Sequence, residues 1–256
     1  MEVKTAFYTD MGNVKKVNQD SLSIKVLNLL DEKIIFAVVC DGVGGLEQGE
    51  LASKEVVLEL DKWFQSSFLQ IVSEGDFSKE WLNKQWEQQI EKIVQKMKRY
   101  GKCFGIVLGT TVSALLIYQK RYYICHVGDS RIYEVREELK QLTTDHTLVA
   151  QEIRMGRLTQ EESKWDARRN VLLQCIGTVG QVHPQLLSGK VRENTTFVLC
   201  TDGFVHRVSE QEMLGYFEPE KLQQKEDIEK ACRELTQTVR QRGEEDNITV
   251  VGIVVR

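Results

Sequence analysis

Proline is nearly missing from this sequence, with two residues in 256. No Pro-rich, low-complexity or repeated stretch interrupts the chain, so a single domain over 1–256 is expected. No apolar run approaches the roughly 18 residues of a membrane span. Residues 1–8 read as a strand and lack the apolar core of a signal peptide. A cytoplasmic protein without a membrane partner is therefore expected. The four histidines are scattered, none with a partner at metal-ligand spacing, which argues against a zinc centre. The six cysteines contain no Cys-x-x-Cys. Cys40, Cys125 and Cys200 lie in apolar strand-like runs and Cys232 on the apolar stripe of a helix, the pattern of buried reduced thiols. Lys and Arg form no basic block and the net charge is −4, so nucleic acid is not an expected partner. That charge still permits a phosphate-processing enzyme, because bound cations invert the local sign. No convincing Ser–His–Asp or Cys–His triad stands out.

With 41 % hydrophobic and 28 % charged residues, the chain has the composition of an ordinary globular protein and is long enough for a substantial core. Its centre of interest is residues 34–45, a β-branched apolar run that ends abruptly in Asp41 and three glycines. The run reads as a buried strand that the glycines stop. A carboxylate with so little steric cover suits a cation, which the Gly42 carbonyl can also approach. One such site, taken alone, reads as a strand-ending Asp-Gly turn. The motif recurs, however: Phe197-Val-Leu-Cys-Thr-Asp-Gly203 delivers Asp202, and Asp246 stands before the strand-like Asn247-Ile-Thr-Val-Val-Gly-Ile-Val-Val255.

Along the chain, 3–9, 21–27 and 34–40 read as strands, joined by the polar loop 10–20, which carries Asp20, and by 28–33. Helices are expected over about 49–65 and 78–100, the second with Leu82, Trp86, Ile90, Ile93, Val94 and Met97 on one face. After Gly101, the segments 110–118, 121–127 and 131–136 read as an antiparallel meander, with 139–142 as a small edge strand. From about 148 to 170 the chain is polar and helical, broken at Gly156. Strands at about 185–191 and 196–201 precede helices at about 209–216 and 226–241, and 247–255 closes the set.

Asp20, Asp41, Asp129, Asp202 and Asp246 thus each sit beside a strand end. Oxygen donors without His or Cys suit Mg²⁺ or Mn²⁺. Packed together without cations they would repel one another and protonate in part. Two cations roughly 3.5–4 Å apart could bridge a water and clamp a phosphoryl oxygen. Spacing alone leaves a second reading open, aspartates as scattered turn residues.

These residues fall into a series of motifs. They are Gly12-Asn-Val-Lys-Lys-Val-Asn-Gln-Asp-Ser21, Val39-Cys-Asp-Gly-Val-Gly-Gly45, Gly109-Thr-Thr111, Val127-Gly-Asp-Ser-Arg131 and Thr144-Asp-His146. Arg169-Asn-Val-Leu172, Ile176-Gly-Thr178, Thr201-Asp-Gly203 and Asp246-Asn-Ile-Thr249 complete the series. In that order and through nearly the whole chain, they resemble the metal-dependent PPM, or protein phosphatase 2C, family in its bacterial form. The resemblance implies an α+β fold, a four-layer α-β-β-α sandwich of two antiparallel sheets flanked by helix pairs. It implies a dinuclear Mn²⁺ or Mg²⁺ centre whose bridging water attacks a phosphomonoester directly. Asp41 would bridge the ions and the Gly42 carbonyl bind one, with Asp202 and Asp246 on the other and Asp20 close by. Asp129 matches a position that, with Asp202, holds a third and weaker ion, whereas Asp145 is read as ordering its own turn. Residues 148–170 match a mobile flap.

Departures accompany the likeness. Lys15 stands where the family usually has a phosphate-gripping Arg, and Lys is a point charge on a flexible stem. On sequence alone its side chain could equally face solvent. Gln19 replaces a Glu of some relatives, Val43 a His of many eukaryotic members, and Asp166-Ala167 a more usual His-Pro. The expected activity is a serine/threonine phosphatase acting on phosphoserine and phosphothreonine proteins, opposing a serine/threonine kinase, with Asp41, Asp202, Asp246 and Lys15 at the reaction centre. Two alternatives stay in view, a catalytically weak regulatory pseudophosphatase and a dedicated enzyme of a partner-switching pathway.

Overall fold

The computed structural model describes residues 1–29, 32–43, 46, 48–163, 165–178 and 180–256. Gly44 and Gly45 of the glycine stretch, two residues of the 28–33 turn and one of the flap lie outside them. Ten strands are described: β1 (Val3–Asp10), β2 (Ser21–Leu29), β3 (Glu32–Cys40), β4 (Val112–Tyr118), β5 (Arg121–Val127), β6 (Arg131–Val135), β7 (Leu139–Gln141), β8 (Gln185–Lys190), β9 (Thr195–Cys200) and β10 (Ile248–Val255). They form two five-stranded sheets, β1-β10-β9-β6-β7 and β2-β3-β4-β5-β8, and neighbours within each are antiparallel.

The helices are α1 (Gly49–Trp63), α2 (Leu69–Glu74), α3 (Lys79–Phe104), α4 (Leu148–Arg154), α5 (Gln160–Ser163), α6 (Asp202–Val205), α7 (Glu210–Phe217) and α8 (Lys225–Gln241). Alternation along the central strands explains the layering, since successive side chains point to opposite faces. On β3, Ile34, Phe36, Val38 and Cys40 pack against α1 and α3, while Ile35, Ala37 and Val39 meet the other sheet. On β10, Ile248, Val250 and Val254 lie under α7 and α8, and Val251, Ile253 and Val255 face inward. A strand buried on both faces must be apolar throughout, hence the continuous runs in the sequence. The order helix–sheet–sheet–helix follows from these three clusters and is the sandwich the resemblance implied.

The helix on β3 extends further than its periodicity suggested. It continues from α1 through a π-helical turn at Phe64–Phe68 into α2. That turn shifts the helical phase, so Phe64 stacks on Phe36 at 4.8 Å and Phe68 stacks on Phe64 at 5.2 Å. Helix α3 starts where Ser78 accepts the Trp81 N–H (3.1 Å), but runs through a buried Gly101 to Phe104. The meander is also corrected. β4 and β5 pair, but β4 and β8 occupy both edges of β5, so Gly128–Ser130 carries the chain across to the other sheet. There β6 pairs with β9 and β7.

Candidate active site and metal centre

Strand register brings the candidate carboxylates to one end of the sandwich. In one sheet Ser21 lies opposite Cys40 and Val112 opposite Val127, which sets Asp20, Asp41 and Asp129 at the same edge. In the other, Cys200 pairs with both Arg131 and Val250, which places Asp202 near Asp246. Antiparallel pairing makes strand ends and strand starts neighbours, so residues remote in sequence meet.

The loops at that end are laced together. The Asn247 side chain accepts the Gln19 N–H (2.9 Å) and donates to the carbonyls of Met11 (2.9 Å) and Val17 (3.2 Å). Gly12, at φ +80°, allows this loop to pass so close that a Cβ would lie 2.2 Å from the Asp246 carbonyl oxygen. At Gly203 a Cβ would lie 2.2 Å from the Asn247 carbonyl oxygen, so only glycine lets α6 sit there. Thr201 Oγ1 donates to Asp20 Oδ2 (3.1 Å) and accepts the Thr249 N–H (3.0 Å). Asp41 donates its N–H to Thr111 Oγ1 (2.9 Å), and its carbonyl accepts the Thr110 hydroxyl and the Thr111 N–H, both at 2.8 Å. The Gly42 N–H donates to the Gln19 carbonyl (3.1 Å).

Three of these carboxylates are strongly perturbed by burial and by their acidic neighbours. Burial, and then the charges of Asp20, Asp202, Asp129 and Asp246, drive the Asp41 carboxyl well above its usual range. Burial first and Asp202 second do the same to Asp129, with Arg131 and His206 pulling back. Asp20 is pushed up to about 7 by burial, and by Asp202 and Asp246, against hydrogen bonds from Thr249 and Thr201. Asp20 Oδ1 and Asp202 Oδ1 are buried without any hydrogen-bond partner. Among the described residues, no three His, Cys, Asp or Glu side chains are gathered tightly enough to read as a metal site from position alone. Two buried oxygens are left without partners, and the carboxylates repel one another. A divalent cation with oxygen preference answers both, so the residues fit one.

Lys15 faces this cluster. Its Nζ lies 2.9 Å from Asp246 Oδ1, with the side chain 30 % exposed. Burial lowers the ammonium pKa, but the hydrogen bond to Asp246 and the charges of Asp246, Asp41 and Asp202 outweigh it and raise it overall. Gln19 reaches a different carboxylate, its amide nitrogen lying 3.3 Å from Glu50 Oε2. Val43 has no titratable group and is tied by its N–H to the Gly109 carbonyl (2.9 Å). Asp145 accepts Arg131 Nε (3.0 Å) and Nη2 (2.7 Å) and the Gln141 amide (3.0 Å), a self-contained arrangement. In the 148–170 segment Trp165 is 87 % exposed beside the Asp166–Arg168 ion pair.

Two residues that no sequence motif marks, His206 and Glu244, also reach the site. His206 Nε2 lies 3.7 Å from Asp202 Oδ2, and His206 Nδ1 lies 3.6 Å from Glu244 Oε2. Burial pulls the His206 pKa down, yet Glu244 and Asp202 raise it overall. The available signals were weak: His206 comes one helical turn after Asp202, and Glu244 stands just before Asp246.

A family model described as protein phosphatase 2C matches residues 13–250. The serine/threonine phosphatase Stp of Listeria monocytogenes is 31 % identical over 247 residues, covering 96 % of this chain and 93 % of that protein. The solved S. agalactiae serine/threonine phosphatase is similar with a TM-score of 0.84 and 28 % identity, covering 100 % of both chains. The catalytic domain of the phosphatase PstP, in complex with two manganese ions, has a TM-score of 0.78 and 26 % identity over 99 % of each chain. The family match runs through Lys15 and all five candidate carboxylates, and the chain accordingly belongs to the protein phosphatase 2C family of phosphoprotein phosphatases.

Proposed function

We propose that the protein hydrolyses phosphoserine and phosphothreonine monoesters of proteins at a centre holding two Mn²⁺ or Mg²⁺ ions. Asp41, the Gly42 carbonyl, Asp202 and Asp246 would hold the two ions, and Asp20 would lie close by. Asp129 with Asp202 would accommodate a third. Bound there, the cations supply acidified water and neutralise charge on the phosphoryl oxygens. The single observation that carries this reading is the buried carboxylate cluster with its two partnerless oxygens. The two-manganese relative and the names of the Listeria and S. agalactiae proteins support it.

The chain's own residues supply the rest. Lys15, held at the rim by Asp246, presents an ammonium for the substrate phosphate, as a point charge rather than a fork. Asn247 and Thr201 fix the loops that carry Asp20 and Asp246, so the acidic groups are set before substrate arrives. Val43 has no proton to give a leaving group. We read the whole chain as one catalytic domain, with 148–170 as a flap. We place it in the cytoplasm opposite a serine/threonine kinase. Among the described residues no helix is long and apolar enough to cross a membrane.

Hydrolysis of a phosphothreonine peptide with Mn²⁺, Mg²⁺, Ca²⁺ or EDTA tests the reading. Turnover with Mn²⁺ that disappears in EDTA is expected. Absence of turnover while Mn²⁺ is demonstrably bound would replace the enzyme with a regulatory module.

A further inference from the structure

Glu244 is 7 % exposed in the loop between α8 and β10, and nothing in the proposed chemistry uses it. A buried carboxylate is costly unless its charge is met, and here both of its oxygens are met. Oε1 accepts the N–H groups of Glu245 (3.0 Å) and Asp246 (3.2 Å). Oε2 faces His206 Nδ1 at 3.6 Å and Arg207 Nε at 3.7 Å. The Glu244 carbonyl accepts the Asn13 side-chain amide (3.1 Å). Three segments therefore converge on one residue: the turn that delivers Asp246, the residues just after helix α6, which begins with Asp202, and the loop that carries Lys15.

His206 continues the chain of contacts. Its second ring nitrogen lies 3.7 Å from Asp202 Oδ2, while Asp202 Oδ1 is the buried oxygen without a partner. One edge of Asp202 is thus engaged by the protein and the other is left as a donor. We infer that Glu244 and His206 are positioning residues of the cation centre, holding Asp202 and Asp246 in their mutual arrangement and selecting Asp202 Oδ1 as the free oxygen. The inference rests on the proposed function. Partners standing behind metal-binding side chains commonly govern affinity by about 10–100-fold.

Two mechanisms make opposite predictions. If His206 acted only through its charge, a cation beside Asp202 would compete with a metal, and removing it would tighten binding. If it positions Asp202, removing it weakens binding. The experiment is calorimetric titration of the full chain with Mn²⁺ alone, for wild type, His206→Gln, Glu244→Gln and the double variant. Thermal midpoints in EDTA accompany each titration, and peptide hydrolysis is followed against Mn²⁺ concentration.

We expect each single variant to bind Mn²⁺ about 10-fold more weakly while its EDTA midpoint stays close to wild type. The double variant should be little worse than either single one, since both lie on one path. Excess Mn²⁺ should restore hydrolysis. His206→Gln binding as tightly as wild type, or tighter, would overturn the inference. So would a lowered midpoint with unchanged Mn²⁺ affinity, because that is the mark of a loop staple. A wild type that binds no Mn²⁺ would instead remove the proposed function itself, and the inference with it.

Discussion

Asp129 lies in the crossover between the sheets and Asp145 in the turn packed beside it, and the protein treats their charges in opposite ways. Asp145 is met by the Arg131 guanidinium and by Gln141, so its charge is balanced within the chain. Asp129 belongs to the cluster with Asp41 and Asp202, and burial and like charge drive the Asp129 and Asp41 carboxyls upward. Arg131 pulls on Asp129 as well, but its hydrogen bonds go to Asp145 and Tyr133. A carboxylate that the chain neutralises is structural. A group of carboxylates left unneutralised calls for a cation from outside. A third solution lies close by in His126, fully buried against Ser113 and His146, which sheds its charge altogether: burial and then His146 push its pKa down to about 3.

The sharpest way to break this contrast is a pair of isosteric substitutions. Asp41→Asn should reduce turnover of a phosphothreonine peptide by about 10³-fold or more, several kcal/mol of transition-state stabilisation. In EDTA the same variant should melt above wild type, because a repelling charge has gone. Wild-type turnover in Asp41→Asn with unchanged metal content would sink the reading of this cluster. Asp145→Asn should move stability the other way, losing about 3 kcal/mol in urea unfolding by stranding Arg131. A neutral result there would mean that the pair contributes nothing net.

His126 offers a smaller, graded test. Its folded pKa lies below the ordinary 6.5, so the native state refuses a proton that the unfolded chain accepts. Its contribution to stability is complete above pH 6.5 and is lost as pH falls toward 3, at about 1.4 kcal/mol per pH unit. The charge of Asp145 opposes the shift, and His146 reinforces it. Urea unfolding between pH 4.5 and 6.5 should therefore be steeper in pH for wild type than for His126→Asn. Equal slopes would show that His126 charges without penalty.

The smallest effect is expected at Lys15, the chain's own partial answer to the acidic cluster. Lys15→Arg should lower KM for the phosphopeptide several-fold, about 1 kcal/mol, with little change in kcat, because a fork grips phosphate more specifically than a point charge. A raised KM would show that the ion pair with Asp246 requires Lys.

Much of the fold was legible because its signals are local. Apolar runs marked β3, β9 and β10, and the spacing of Leu82, Trp86, Ile90 and Val94 marked α3. Less legible was anything that depends on a distant partner. The strand-like segment after Asp129 looked like the third leg of a meander, but β8, far along the chain, takes the edge that β6 would need. The two possible directions of Lys15 were indistinguishable until Asp246 was seen 2.9 Å away.

Local sequence chemistry sufficed to mark out most strands and helices and to set five aspartates beside strand ends. Periodicity and turn chemistry act over a few residues and need no knowledge of the rest. Tertiary structure decided which sheet each strand joins, which aspartates share a charge environment and which is cancelled by Arg131, and that Glu244 ties Asp246 to His206. Those outcomes depend on edge availability and on charges meeting across long loops, and no local pattern encodes either.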